Sequence, residues 1–123
     1  MTFRYARHTN NLQAVTEFYT DIIGLSKLGE FNSHDGYDGV FLGKPTMDWH
    51  LEFTESEHEA RHTPDEDDLL VFYFDTEEEI DQIKKRMATA NIPVQTSKNP
   101  YWNRRGTQVN DSDGFGVILT LKK

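Results

Sequence analysis

The stretch Trp49-His50-Leu51-Glu52-Phe53-Thr54 alternates bulky apolar residues with polar ones. As a strand it turns Trp49, Leu51 and Phe53 to one face and His50, Glu52 and Thr54 to the other, the pattern of a sheet with a core on one side only. The apolar side needs helices to cover it. The polar side sets two residues able to ligate a metal next to each other, so this strand also frames the functional question.

Upstream, residues 3–8 read as a short strand with Arg4, Ala6 and His8 on one face. Asn10 or Asn11 offers a helix N-cap, and Leu12, Val15, Phe18, Tyr19 and Ile22 recur at helical spacing until Gly24 provides a stop. Two strands, residues 25–31 and 37–42, precede the opening one, separated by polar and glycine-bearing turns. Downstream, residues 55–68 contain almost nothing apolar and read as a solvated, charged connection. Beyond it the order repeats. An apolar strand at 69–74 leads to a helix opened by the capping box Thr76-Glu77-Glu78-Glu79, with Ile80, Ile83 and Met87 as its buried stripe, and then to strands at 94–96, 106–110 and 115–121. The halves match with a shift of roughly 65 residues, which makes the chain an α+β protein of two βαβββ modules in tandem, 1–54 and 69–123. In that match Ile118 stands where Glu52 stands.

A length of 123 residues suits a single paired-module domain. The net charge of −8 argues against a nucleic-acid partner, which needs a basic face. Without cysteine there is no disulfide, thiolate metal site or cysteine nucleophile. No apolar run reaches the length of a membrane span and no signal-type core opens the chain, so a cytoplasmic protein without membrane attachment is expected.

Several segments carry a resemblance. Glu17-Phe18-Tyr19-Thr20-Asp21-Ile22-Ile23-Gly24-Leu25, Leu51-Glu52-Phe53 and Asp111-Ser112-Asp113-Gly114-Phe115 are similar to the "FY…LG" helix end, the ligand strand and the "DPDG" hairpin of the vicinal oxygen chelate superfamily. That group contains glyoxalase I, extradiol dioxygenases and bleomycin-resistance proteins, and Asn99-Pro100-Tyr101-Trp102 resembles a loop of the bleomycin-resistance-like branch. The resemblance implies a homodimer and, in metal-using members, one ligand from the first and one from the last strand of each module. Carried onto this sequence, those positions are Arg4, Glu52, Leu69 and Ile118. Arginine offers no lone pair, and leucine and isoleucine have no donor atom. Glu52 alone fits.

The preferred expectation is therefore a metal-free protein that binds a small organic molecule in a cavity lined by Arg4, His8, His50, Glu52 and Tyr73, with Tyr101 and Trp102 as a wall or lid. No catalytic residue is assigned. The alternative is a metal-dependent lyase, isomerase or dioxygenase holding a divalent ion with His8, His50 and Glu52. His58-Glu59-Ala60-Arg61-His62 matches a zinc-protease motif in letters only, since Thr63-Pro64 ends any helix there and no apolar stripe anchors the segment.

Overall fold

In the computed structural model, which describes residues 1–122, the chain divides into two units, Met1–His62 and Thr63–Lys123. The first unit runs β1 (Phe3–His8), α1 (Leu12–Glu17), β2 (Ser26–His34), β3 (Tyr37–Gly43) and β4 (Trp49–Glu55). Its sheet has the order β1-β4-β3-β2, with β1 and β4 parallel and the other pairs antiparallel. Asn11 caps α1 by accepting from the Ala14 amide at 3.0 Å, and the Glu55 carboxylate at the end of β4 accepts from the Leu12 amide at 2.7 Å. The helix then widens into a π-helical turn over Phe18–Ile22, closed by the Ile23 amide donating to the Phe18 carbonyl, and Gly24 stops it at a φ of 95°.

This helix carries Val15, Phe18, Tyr19 and Ile22 onto the face formed by Leu42, Leu51 and Phe53, all of them buried. Tyr19 stacks on Phe53 with centroids 5.2 Å apart and planes 21° from parallel. The apolar side of the opening strand thus anchors the first core.

The second unit runs β5 (Leu69–Phe74), α2 (Glu77–Thr89), α3 (Pro100–Arg105), β6 (Gly106–Asn110) and β7 (Gly116–Leu121). Its sheet has the order β5-β7-β6, again with the first and last strands parallel. The capping box of α2 is present in both directions between Thr76 and Glu79, and Ile80, Ile83 and Met87 are buried. They meet a sheet whose Val109, Val117 and Leu119 are equally withdrawn from water.

Three local expectations need correction. The strand expected at 94–96 is reduced to a single bridge between Gln95 and Gln108. Pro93 has no amide hydrogen to give, and two residues past the bridge the Asn103 side chain takes both backbone groups of Ser97, at 2.8 Å each. Tyr101 and Trp102, expected in a loop, lie on α3, which Asn99 caps and Pro100 opens. The segment expected as a solvated connection forms no helix or strand after Glu55, yet its first half is fastened to the first unit. Ala60 is buried and exchanges hydrogen bonds with the Asn10 side chain at 2.7 and 3.0 Å. Residues 58–62 are not helical, so the zinc-protease letters lack the scaffold that chemistry needs.

Two variants probe these supports. Phe53→Ala is expected to destabilise the protein by about 3–5 kcal/mol in urea denaturation, because it empties a fully buried, stacked site. Asn103→Ala is expected to cost about 1–3 kcal/mol by the same measurement, since buried Ser97 loses its backbone partners.

Candidate ligand-binding face

Since α1 covers one face of the first sheet, the chemistry offered by the other face follows from the ladder register. Arg4 is paired with His50, and His50 with Gly43. Ala6 is paired with Glu52, and Glu52 with Phe41. His8 is paired with Thr54, and Thr54 with Gly39. On β2, Gly29 is paired with Phe41 and Phe31 with Gly39. Four positions on this face, Ala6, Gly29, Gly39 and Gly43, have little or no side chain; the Phe31 ring fills the space over Gly39 and Leu28 that over Gly43, which leaves Gly29 and Ala6 as the shallow places. The result is a hollow whose floor is Phe41 and whose far edge is the Phe31 ring, lying over Gly39 where a Cβ would come within 2.2 Å of it. The two rings are 5.7 Å apart and tilted by 48°.

At one end of this hollow the Arg4 guanidinium lies over Phe41, its central carbon 5.0 Å from the ring centroid. Its Nε donates to His50 Nε2 at 2.9 Å, and Nη1 stands 3.5 Å from Glu52 Oε1. A guanidinium only donates, so His50 Nε2 accepts with its lone pair. The His50 ring in turn meets Phe41 edge-on at 5.7 Å. The Glu52 side chain is only 14% exposed, whereas that of Arg4 is 50% exposed. With one partner half in water, the ion pair contributes about 0–1 kcal/mol to stability and serves chiefly to orient the two groups.

His8 occupies the other end. Its Nε2 is 3.1 Å from the His58 carbonyl oxygen and 3.1 Å from Ser56 Oγ, and its Nδ1 is 2.8 Å from Thr54 Oγ1. A carbonyl only accepts, so Nε2 carries the proton and both ring nitrogens are engaged. Four residues of strand separate the levels of His8 and His50, about 13 Å at roughly 3.3 Å per residue. The structure therefore brings Arg4, His50 and Glu52 together and sets His8 apart, in a hydrogen-bonded cluster with Thr54 and Ser56. Among the described residues no three His, Asp or Glu side chains group closely enough to hold an ion.

The same register recurs in the second unit with different chemistry. Leu69 pairs with Gly116, Val71 with Ile118 and Tyr73 with Thr120, while Gln108 of β6 pairs with Ile118. Leu69, Gly116 and Ile118 thus occupy the ladder positions of Arg4, His50 and Glu52, and Tyr73 that of His8. The place is crowded: a Cβ on Gly116 would lie 2.6 Å from Leu69 Cδ2 and 2.9 Å from Gln108 Nε2. Tyr73 and Tyr101 are exposed, and Tyr101 makes an edge contact with half-buried Trp102 at 4.8 Å. All three belong to the second unit, apart in sequence from the Arg4 group. Phe31, Phe41, Gly39, Thr54 and Ser56 were not anticipated as site residues. The run Gly39-Val40-Phe41-Leu42-Gly43, with glycines flanking a phenylalanine at period two, is the signal that identifies the hollow.

A parallel outer pairing used twice, a helix on one face and a strand order repeated in tandem give the paired-module fold shared with glyoxalase I. More narrowly, the YycE-like N-terminal domain matches residues 3–54 and the YycE-like C-terminal domain residues 67–120, and the chain belongs to that family. The YycE protein of Bacillus subtilis strain 168 is 37% identical over 121 residues, covering 98% of this chain and 87% of its own. A crystal structure of a Bacillus subtilis YycE protein superposes with a TM-score of 0.90 at 36% identity, covering 99% of this chain and 90% of that one. Two more distant structures share the fold. Leishmania major glyoxalase I has a TM-score of 0.75 at 18% identity, covering 98% of this chain and 86% of its own. TnmS3, an antibiotic-binding protein from Streptomyces sp. CB03234, has a TM-score of 0.68 at 17% identity, covering 100% and 96%. Among the described residues no helix is long and apolar enough to cross a membrane.

The hollow depends on Gly39 having no side chain. Gly39→Ala is expected to drive the Phe31 ring off the sheet and abolish its contact with Phe41, seen as lost ring-to-ring cross-peaks in NMR. Because that ring sits on an edge strand and can swing outward, the expected stability cost is below about 1 kcal/mol.

Proposed function

We propose that the chain binds a small organic molecule on the hollowed face of its first unit and does so without a divalent ion. The observation that carries this reading is the Arg4–Glu52 pair, with Arg4 Nε also bound to His50. At the first-strand position where the resemblance places a metal ligand stands a permanent cation, which offers no lone pair and repels a divalent ion. It also occupies the groups an ion would need, the Glu52 carboxylate and the His50 Nε2 lone pair. The remaining two positions, Leu69 and Ile118, contribute only hydrocarbon. The donor set therefore does not fit the four-ligand centre of the metal-using members.

The fold does not choose between binding and catalysis, because it carries both an antibiotic-binding protein and glyoxalase I. The side chains on the face support binding. They supply an oriented cation, a withdrawn carboxylate and an aromatic floor, the few convergent polar groups in an apolar setting that small-molecule sites use.

The test is elemental analysis of protein purified without chelator, together with thermal melts in manganese, iron(II), nickel and zinc. Substoichiometric metal and unchanged melting temperatures are expected. Arg4→His, which removes the cation and adds an imidazole beside Glu52, is expected to gain a metal-dependent rise in melting temperature. A stoichiometric ion in the native protein, lost on Glu52→Ala or His50→Ala, would overturn the metal-free reading. A broad small-molecule library that stabilises the protein in no case would overturn the binding reading.

A further inference from the structure

The Arg4 end of the hollow is balanced in charge and unsaturated in hydrogen bonding. A carboxylate has about four lone-pair sites, and that of Glu52 meets a single donor among the described residues, at 3.5 Å. A guanidinium has about five N–H groups, and those of Arg4 not directed to His50 or Glu52 have no partner among the described residues. A donor-rich cation and an acceptor-rich anion thus stand 3.5 Å apart at the edge of one aromatic floor.

This pairing discriminates among ligand charges. An anion gripped by Arg4 lies within reach of the Glu52 carboxylate and is repelled by it, and the chain's net charge of −8 adds to the repulsion. A cation placed on Glu52 meets Arg4 in the same way. A group carrying a carboxylate and an ammonium on one carbon satisfies both partners and leaves the site neutral. Between this pair and the polar His8 cluster the face is apolar and flat: Phe41 beneath, Phe31 beyond it, and small residues at Gly29 and Ala6. We infer that the face recognises a zwitterion of the α-amino-acid type with a flat apolar side group. Its carboxylate sits on Arg4, its ammonium on Glu52, and its side group on the Phe41–Phe31 floor. The inference rests on the binding reading above and adds the ligand class to it.

The experiment is calorimetric titration of the native protein with three probes of one shape, L-phenylalanine, 3-phenylpropionate and phenethylamine. L-phenylalanine is expected to bind at least about tenfold more tightly than either singly charged probe, the scale of one charge-assisted hydrogen bond. Arg4→Gln is expected to level L-phenylalanine with phenethylamine, and Glu52→Gln to level it with 3-phenylpropionate. The comparison on the native protein decides the matter even if a variant fails to fold. A singly charged probe binding as tightly as L-phenylalanine overturns the zwitterion assignment and leaves the binding reading intact. So does failure of all three probes when a library compound binds the native protein but not Phe41→Ala.

Discussion

The parallel pairing of β1 with β4 is the constraint from which the rest of the first unit follows. Parallel strands cannot be joined by a tight turn, so the chain between them must travel, and here it supplies a helix and two antiparallel strands before returning. The helix covers one face and buries Leu51 and Phe53, which leaves His50 and Glu52 on the other with Arg4 as their neighbour. The Glu55 carboxylate caps the helix from the end of the same strand, so β4 fixes both the core and the entry of α1. The second unit obeys the same constraint with β5 and β7, which is why positions can be matched between units by register even where side chains differ.

Arg4 converts that scaffold into a particular kind of surface. A metal at this place would be a point charge open to several ligands, whereas a guanidinium resting on Phe41 is a planar donor with fixed directions. Its bond to His50 sets the tautomer of that ring, and its position beside Glu52 keeps a withdrawn carboxylate compensated. The three residues work as a unit whose charge is close to neutral. Antibiotic-binding protein and glyoxalase share the backbone, so the fold by itself fixes neither role.

Much of this was legible in the residues. Period-two alternation in 49–54, the helical spacing of Leu12, Val15, Tyr19 and Ile22, and the Thr76–Glu79 capping box each report local physics, and each formed as read. The strand at 94–96 failed because its alternatives are side-chain groups: Asn103 lies six residues from Ser97 and replaces a ladder that periodicity alone would predict. The Asn99-Pro100 pair, a cap followed by a proline suited to a first helical turn, carried the short helix that an aromatic-rich loop reading overlooked. For the site, strand parity set Arg4 with His8 on one face and His50 with Glu52 on another, while the pairing of Arg4 with Glu52 needed the adjacency of β1 and β4. The separation of His8 from His50 needed the register, which sequence does not state, and so did the part played by glycines as vacated space.

The crowding around Gly116 bears on how the two halves differ. In the first unit the equivalent position accommodates a histidine ring; in the second, any side chain there runs into Leu69 and Gln108. The polar set of the first unit has its equivalents at 69, 116 and 118, and a β-carbon at 116 comes within 2.6 Å of Leu69 Cδ2 and 2.9 Å of Gln108 Nε2. The face that carries charge in the first unit is thus filled by hydrocarbon and amide in the second, where a side chain at 116 requires Leu69 and Gln108 to move aside.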